Sequence, residues 1–162
     1  MGTSGADGAT ATMGGRLLRL AADRDIDHLS REISLLCTRP SPGAGDTSPS
    51  YATVLEWVVR SIVEVVLARL GAVGPGEMFI LEVRGQDGST VDLDALPASG
   101  RWVLSIMSAF LAEYTAEGRR QLAAATAHPD PYWRAELLTD TLIWLDYVLG
   151  LDLPDPPDVP TR

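Results

Sequence analysis

The chain has 162 residues, 46% of them hydrophobic and 22% charged, a composition typical of one globular domain with its own core. A formal charge of −9 disfavours nucleic acid and anionic membrane surfaces as partners, because both are themselves negatively charged. All 13 basic residues are arginine, and without lysine the chain cannot form a Walker A phosphate loop or the Schiff base of a pyridoxal phosphate enzyme or aldolase.

Three further features of the sequence bear on the type of source genome and on the cellular compartment of the protein. Lysine and asparagine are both absent, and since both use AT-rich codons, this indicates a bacterial genome of high GC content. The single cysteine, Cys37, cannot form a disulfide within the chain. The first residues lack the basic start and apolar run of a signal peptide, and no apolar run approaches the ~20 residues of a membrane span. We therefore expect a cytoplasmic protein that does not bind a membrane.

The predicted fold class is mainly α (α+β), with about four helices and one central β-hairpin, assembled as a helical homodimer. Residues 1–14 are expected to be a flexible N-terminal tail, because their small side chains cannot offset the entropy of ordering. Residues 15–150 are expected to form a single helical domain. Residues 151–162 are acidic and rich in proline, which predicts an extended, solvated tail.

The first helix is predicted from about Arg16 to Cys37. The acidic and basic residues Asp23, Arg24 and Asp25 can interrupt it, and Asp25 can then act as the N-cap of a shorter second helix. A linker of turn-forming residues at 39–50 follows.

The second helix is predicted from about Tyr51 to Leu70. Its charged residues Glu56, Arg60 and Glu64 recur every fourth position and leave well over half of the circumference apolar. An ordinary surface helix needs a narrower apolar stripe, so we predict a homodimer interface on this helix. The alternative is that the first helix and the hairpin cover the excess within one chain. The predicted interface residues are Trp57, Val58, Ile62, Val65 and Val66.

The central β-hairpin is predicted at about 78–94. Two runs with alternating apolar residues flank a turn at 85–88. Asp92 and Asp94 alternate with Val91 and Leu93, which is typical of a half-buried strand with a solvated side, although a carboxylate pair is also conceivable.

Two more helices are predicted after the hairpin. The third starts beyond Pro97 with Ser99 as N-cap, and Gly118 ends it or kinks it before a helical continuation over 119–127. The fourth has Asp130 as N-cap and Pro131 as first residue, and it ends at Gly150.

A weak metal candidate is formed by Asp25, His28 and Glu32, whose spacing places them on one helical face. The chain offers too few further ligands for a di-iron bundle, so a solvated polar face is the favoured interpretation, and no metal is predicted.

No catalytic residue is predicted. A Ser-His-Asp triad is conceivable from the residue types present, but the Gly-x-Ser-x-Gly motif is absent and His128 lies in a proline-rich turn. Cys37 ends an apolar segment and is expected to be buried. Gly71, Gly74 and Gly76 precede a predicted strand instead of opening a helix, so they do not fit a dinucleotide-binding loop.

Four aromatic residues are a candidate ligand site. Trp102, Tyr114, Trp133 and Trp144 can line a pocket between the third and fourth helices, although aromatics at helical spacing more often belong to the core. The preferred function is a non-enzymatic dimeric interaction or regulatory module, without cofactor, that also contacts a protein partner. The alternative is a ligand-binding protein or small enzyme with this aromatic-lined pocket; a metal-dependent helical enzyme is a third hypothesis.

Overall fold

The computed structural model describes residues 3–39, 48–71, 74, 82–84 and 87–150. Within these residues the protein has six α-helices, one short 3-10 helix and no strand, so the prediction of about four helices is wrong. The α-helices are α1 (Thr3–Ala22), α2 (Ile26–Thr38), α3 (Tyr51–Leu70), α4 (Ala98–Leu111), α5 (Thr115–Thr126) and α6 (Pro131–Gly150).

The central β-hairpin predicted at about 78–94 is wrong, and so is the α+β class that it implied. Residues 78–81 and two residues of the predicted turn, 85–86, lie outside the described residues. In the described remainder, the pairing is limited to an isolated bridge between Arg84 and Thr90, with the Val91 N–H donating to the Val83 carbonyl at 2.8 Å. Leu93–Ala95 then forms the 3-10 helix, since the Asp92 side chain accepts a hydrogen bond from the Asp94 N–H at 3.0 Å. This local bond competes with strand pairing.

The predicted first helix is two helices. Arg24 has a φ of 56°, which ends α1, and the Asp25 side chain caps α2 by accepting from the His28 N–H at 3.4 Å. The interruption and its cap are thus confirmed. In contrast, α1 begins at Thr3, so most of the segment expected to be a flexible tail is helical. Thr10 and Gly14 on this helix are buried against the rest of the domain.

The chain between α4 and α5 differs from the prediction. The helix stops at Leu111, and Glu113 in the following turn has a φ of 60°. Gly118, expected to end or kink the third helix, lies inside α5. A Cβ at Gly118 would lie 3.0 Å from the Phe110 ring, so this glycine allows α5 to fold back closely on α4.

The helix starts were predicted with mixed success. Ser99 is not the N-cap of α4, because Pro97 occupies that position and the Ser99 side chain is buried within the helix. For α6 the prediction is confirmed, since the Asp130 carboxylate accepts from the Tyr132 N–H at 2.9 Å. The bounds of α3 are also as predicted, and a capping box between Ser50 and Thr53 sets its start.

The parallel pair α3 and α6 forms the centre of the fold. At the N-terminal ends, the Tyr51 hydroxyl donates to the Arg134 carbonyl at 2.9 Å. At the C-terminal ends, the Arg69 guanidinium donates to the carbonyls of Val148 and Leu149 at 2.8 and 2.7 Å. Helices α1 and α2 pack on one flank of this pair and the α4–α5 hairpin packs on the other.

The predicted homodimer interface on α3 is largely covered by the chain itself. Val58 and Ile62 are fully buried, and Val66 is 7% exposed. Trp57 and Val65 are half-buried and pack against the same core. Helix α1, whose first turns were predicted to be a flexible tail, covers α3 together with α4, α5 and α6, so the wide apolar arc of α3 does not require a second copy.

Gly14 is expected to be the most sensitive glycine of α1. A Cβ at this position would overlap the Trp57 ring on α3, whereas a Cβ at the neighbouring Gly15 meets no atom within 4 Å. We predict that Gly14→Ala lowers the free energy of unfolding by about 1–3 kcal/mol through steric strain. The matched Gly15→Ala should raise it by roughly 0.5–1 kcal/mol, because alanine favours the helix. Urea unfolding of both variants checks the pair, and equal effects would contradict the close α1–α3 contact.

Candidate functional site

A groove runs along the surface of the α4–α5 hairpin. Four of its lining residues recur at helical spacing on α4, and Gln121 faces them from α5. The groove has a volume of about 360 Å³. Its lining residues are Ala98, Arg101, Trp102, Ser105 and Gln121.

The polar groups of this groove are mostly bonded to one another. The Ser105 hydroxyl donates to Gln121 Oε1 at 3.0 Å, and Gln121 Nε2 donates to Glu117 Oε1 at 2.7 Å. Two hydrogen bonds, the stronger effect from Arg120 and the weaker from Gln121, hold the pKa of Glu117 below its usual value. Arg101 donates to the Asp94 carbonyl at 3.3 Å and forms no ion pair within the described residues, so it leaves a positive group at the groove.

Two of the four predicted pocket aromatics meet behind this groove. The Trp102 and Trp133 rings are in edge contact, with centroids 5.7 Å apart and planes at 85°. His128, which sequence reasoning considered as a catalytic residue, stacks on Trp133 at 4.1 Å. Its Nδ1 accepts from the Asp130 N–H at 3.3 Å, in keeping with a structural role at the start of α6.

The other two aromatics lie elsewhere. Tyr114 is 70% exposed in the turn before α5, and Trp144 is in edge contact with Tyr147 on α6, with centroids 6.2 Å apart. The pocket of four aromatic residues is therefore not assembled. Sequence reasoning also missed Arg101 and Gln121, because neither belongs to a motif and only the packing of α5 on α4 joins them.

The residues of the weak metal candidate, Asp25, His28 and Glu32, pair with nearby side chains. His28 Nδ1 lies 2.8 Å from Asp25 Oδ2, and this hydrogen bond lowers the pKa of Asp25. Glu32 is instead paired with Arg16 of α1 at 2.7 Å. Across the residues that the structure describes, no group of three or more histidine, cysteine, aspartate or glutamate side chains is arranged to hold a metal ion.

Of the remaining candidates, Gly71 is the C-cap of α3 with a φ of 79°, as a connection requires. Gly76 lies outside the described residues. Asp92 and Asp94 are not a carboxylate pair on a strand, since they belong to the 3-10 turn described above.

A buried junction joins α2, α3 and α6 around Arg134. Its guanidinium donates to the Cys37 carbonyl at the end of α2 and lies 5.4 Å from the centre of the Tyr51 ring. Cys37 is 2% exposed, and burial raises the pKa of its thiol to about 11, with Arg134 acting in the opposite direction. Burial likewise raises the pKa of Tyr51. A protonated, enclosed thiol is a poor nucleophile, so this junction is structural.

The outer face of α6 leaves three large apolar or aromatic side chains exposed to solvent. Ile143 is 56% exposed, Tyr147 is 58% exposed and Tyr132 is 86% exposed. Their positions, together with those of three carboxylates, fall on one side of the helix. We define the α6 outer face by Tyr132, Glu136, Asp140, Ile143, Asp146 and Tyr147.

Cys37 should make the fold less stable at alkaline pH. Its pKa is about 11 in the folded protein against an ordinary value of 9.0, so between pH 9 and 11 the unfolded chain has lost more protons. The free energy of unfolding should therefore fall as the pH rises through this window, by up to about 2–3 kcal/mol.

Urea unfolding at pH 8 and at pH 10.5 measures this loss. In Cys37→Ala the loss should be clearly smaller, with a remainder from Tyr51, whose pKa is raised in the same direction. An equal loss in the two proteins would show that the thiol is not buried as described.

No helix in the described segments is long and apolar enough to cross a membrane. Comparison with known proteins finds no matching family model, no similar curated protein and no similar solved structure.

Proposed function

We propose that this protein is a non-catalytic interaction module that docks a protein partner on the α6 outer face. The observation that carries the proposal is the exposure of Ile143 and Tyr147, which are 56% and 58% exposed in the middle of a solvent-facing helix surface. A surface helix ordinarily turns polar residues to water, and contiguous exposed apolar groups mark interaction sites.

The environments of the nucleophilic and imidazole side chains support a non-catalytic function. The Cys37 thiol is buried and held protonated. His28 is bonded to Asp25 at the start of α2, and His128 is stacked on Trp133. These contacts hold each of the three groups in local structure, whereas catalysis by a cysteine or histidine requires that group to be poised in a cleft beside a partner base or acid.

Photo-crosslinking in the source cells tests the docking surface. With p-benzoylphenylalanine in place of Ile143, we expect one discrete cross-linked protein at high yield. Adding Tyr147→Asp should lower this yield at least about tenfold, because a charge replaces an apolar anchor at the interface.

The matched control places the photoreactive residue at Leu93, which is 49% exposed in the 3-10 turn and is not part of α6. This position should give no discrete product, and Tyr114→Asp should leave the product at position 143 unchanged. The same diffuse labelling from both positions would contradict the proposal. Circular dichroism establishes that each variant is folded.

A second candidate function is binding of a small anionic aromatic ligand in the α4–α5 groove. The observation that favours it is Arg101 beside the Trp102 ring at a groove of about 360 Å³. Arginine pairs with carboxylate or phosphate, and an indole face stacks on an aromatic ring.

Phenyl phosphate is a suitable probe for this groove. In a titration followed by NMR, the indole N–H signal of Trp102 should shift, while that of Trp57 on the opposite flank should not. Arg101→Ala should weaken the effect at least about fivefold, because one charge-assisted contact is lost. Arg119→Ala, which removes an exposed arginine of α5 outside the groove lining, is the control. An unshifted Trp102 signal at millimolar probe excludes this candidate.

A further inference from the structure

We infer that the segment received by the α6 outer face is a basic amphipathic helix of the partner protein. This inference rests on the proposed docking function and adds the chemistry of the partner. The apolar centre of the face, Ile143 and Tyr147, would contact the apolar stripe of that helix. Lysine or arginine side chains flanking this stripe would meet the carboxylates Glu136, Asp140 and Asp146.

The charged residues of the α6 outer face are all acidic. None of its three carboxylates takes part in an ion pair within the described part of the chain. The single basic residue of α6, Arg134, is directed away from this face, since its guanidinium contacts the Cys37 carbonyl and the Tyr51 ring. A partner with complementary charge must therefore be basic.

The shape of the face fits a helix. Tyr132, Glu136, Ile143 and Tyr147 follow one another at helical spacing, and the distance from Tyr132 to Tyr147 corresponds to roughly 22 Å at 1.5 Å per residue. An amphipathic helix of about 15 residues has the same length and presents its anchors at matching intervals. A long basic helix can thus contact the whole face.

The same charges disfavour a second copy of this chain as occupant. Two α6 outer faces in contact would place carboxylates against carboxylates, since neither face has a cation to offer. Like charges across an interface cost several kcal/mol and suppress wrong partners. The occupant that the charge pattern favours is therefore a different, basic chain.

Three synthetic peptides serve as probes. The first is an 18-residue amphipathic helix of leucine and lysine, the second has glutamate in place of lysine, and the third has the composition of the first in a scrambled, non-amphipathic order. Fluorescence anisotropy with the full chain at low and moderate salt should show binding of the first peptide at least tenfold tighter than of the other two. Equal binding of the amphipathic and scrambled lysine peptides would overturn the inference, because attraction by net charge would suffice.

Variants then locate the bound peptide. The triple variant Glu136→Gln, Asp140→Asn, Asp146→Asn should weaken the leucine–lysine peptide roughly tenfold and reduce its salt dependence, as three weak ion pairs are lost. The matched control, Glu64→Gln, Asp94→Asn, Glu113→Gln, removes the same charge from exposed positions outside α6 and should change affinity less than threefold. Equal weakening by both triple variants would place the peptide elsewhere.

Two outcomes separate this inference from the docking function itself. If cross-linking from position 143 gives a discrete partner, but the leucine–lysine peptide neither binds selectively nor competes with it, the docking function holds and the basic helix is wrong. If native mass spectrometry shows a dimer that Ile143→Asp dissociates, a second copy occupies the face and the inference is overturned.

Discussion

The parallel pairing of α3 and α6 is the constraint on which the rest of the structure depends. Two parallel helices of 20 residues each require a connection that returns along their full length, roughly 30 Å. The residues between them include the α4–α5 hairpin. Its two helices run antiparallel, with Ser105 bonded to Gln121 and Phe110 close to Gly118, and it occupies one flank of the pair. Helices α1 and α2 precede α3 and occupy the other flank.

This arrangement treats the two central helices unequally. Each contacts four other helices, α3 with α1, α4, α5 and α6, and α6 with α1, α2, α3 and α4. The difference lies in their apolar side chains: on α3 Val58 and Ile62 are fully buried. Helix α6 is also flanked on both sides, but no described element crosses its outer side, and Ile143 and Tyr147 stay exposed there. The sequence predicts more apolar surface than one chain needs to bury and places the excess on α3. In the structure the exposed apolar side chains lie on α6 instead. Which helix is enclosed depends on topology, which the local pattern does not encode.

The elements predicted correctly are those with a local signal. The charge spacing of α3, the Asp130 cap of α6 and the Asp25 cap of α2 are each decided by residues within one or two turns. Helix α1 lacks such a local signal over its first turns. Its packing instead involves a distant residue, since Gly14 lies against Trp57, 43 positions further along the chain. The hairpin prediction failed for the opposite reason. The Asp94 N–H donates to the nearby Asp92 carboxylate, and this local hydrogen bond competes with the strand pairing that alternation alone suggested.

The acidic residues around the exposed centre of α6 have two consequences that follow from one arrangement. An isoleucine and tyrosines exposed together favour self-association, which charged neighbours of a single sign oppose. Glu136, Asp140 and Asp146 therefore oppose pairing of two copies through this one face. The same residues raise the affinity for a cationic surface. Under the proposed docking function such a face would stay free until a basic partner binds, and this is the physical reason to propose it as a docking surface instead of an unfinished part of the core.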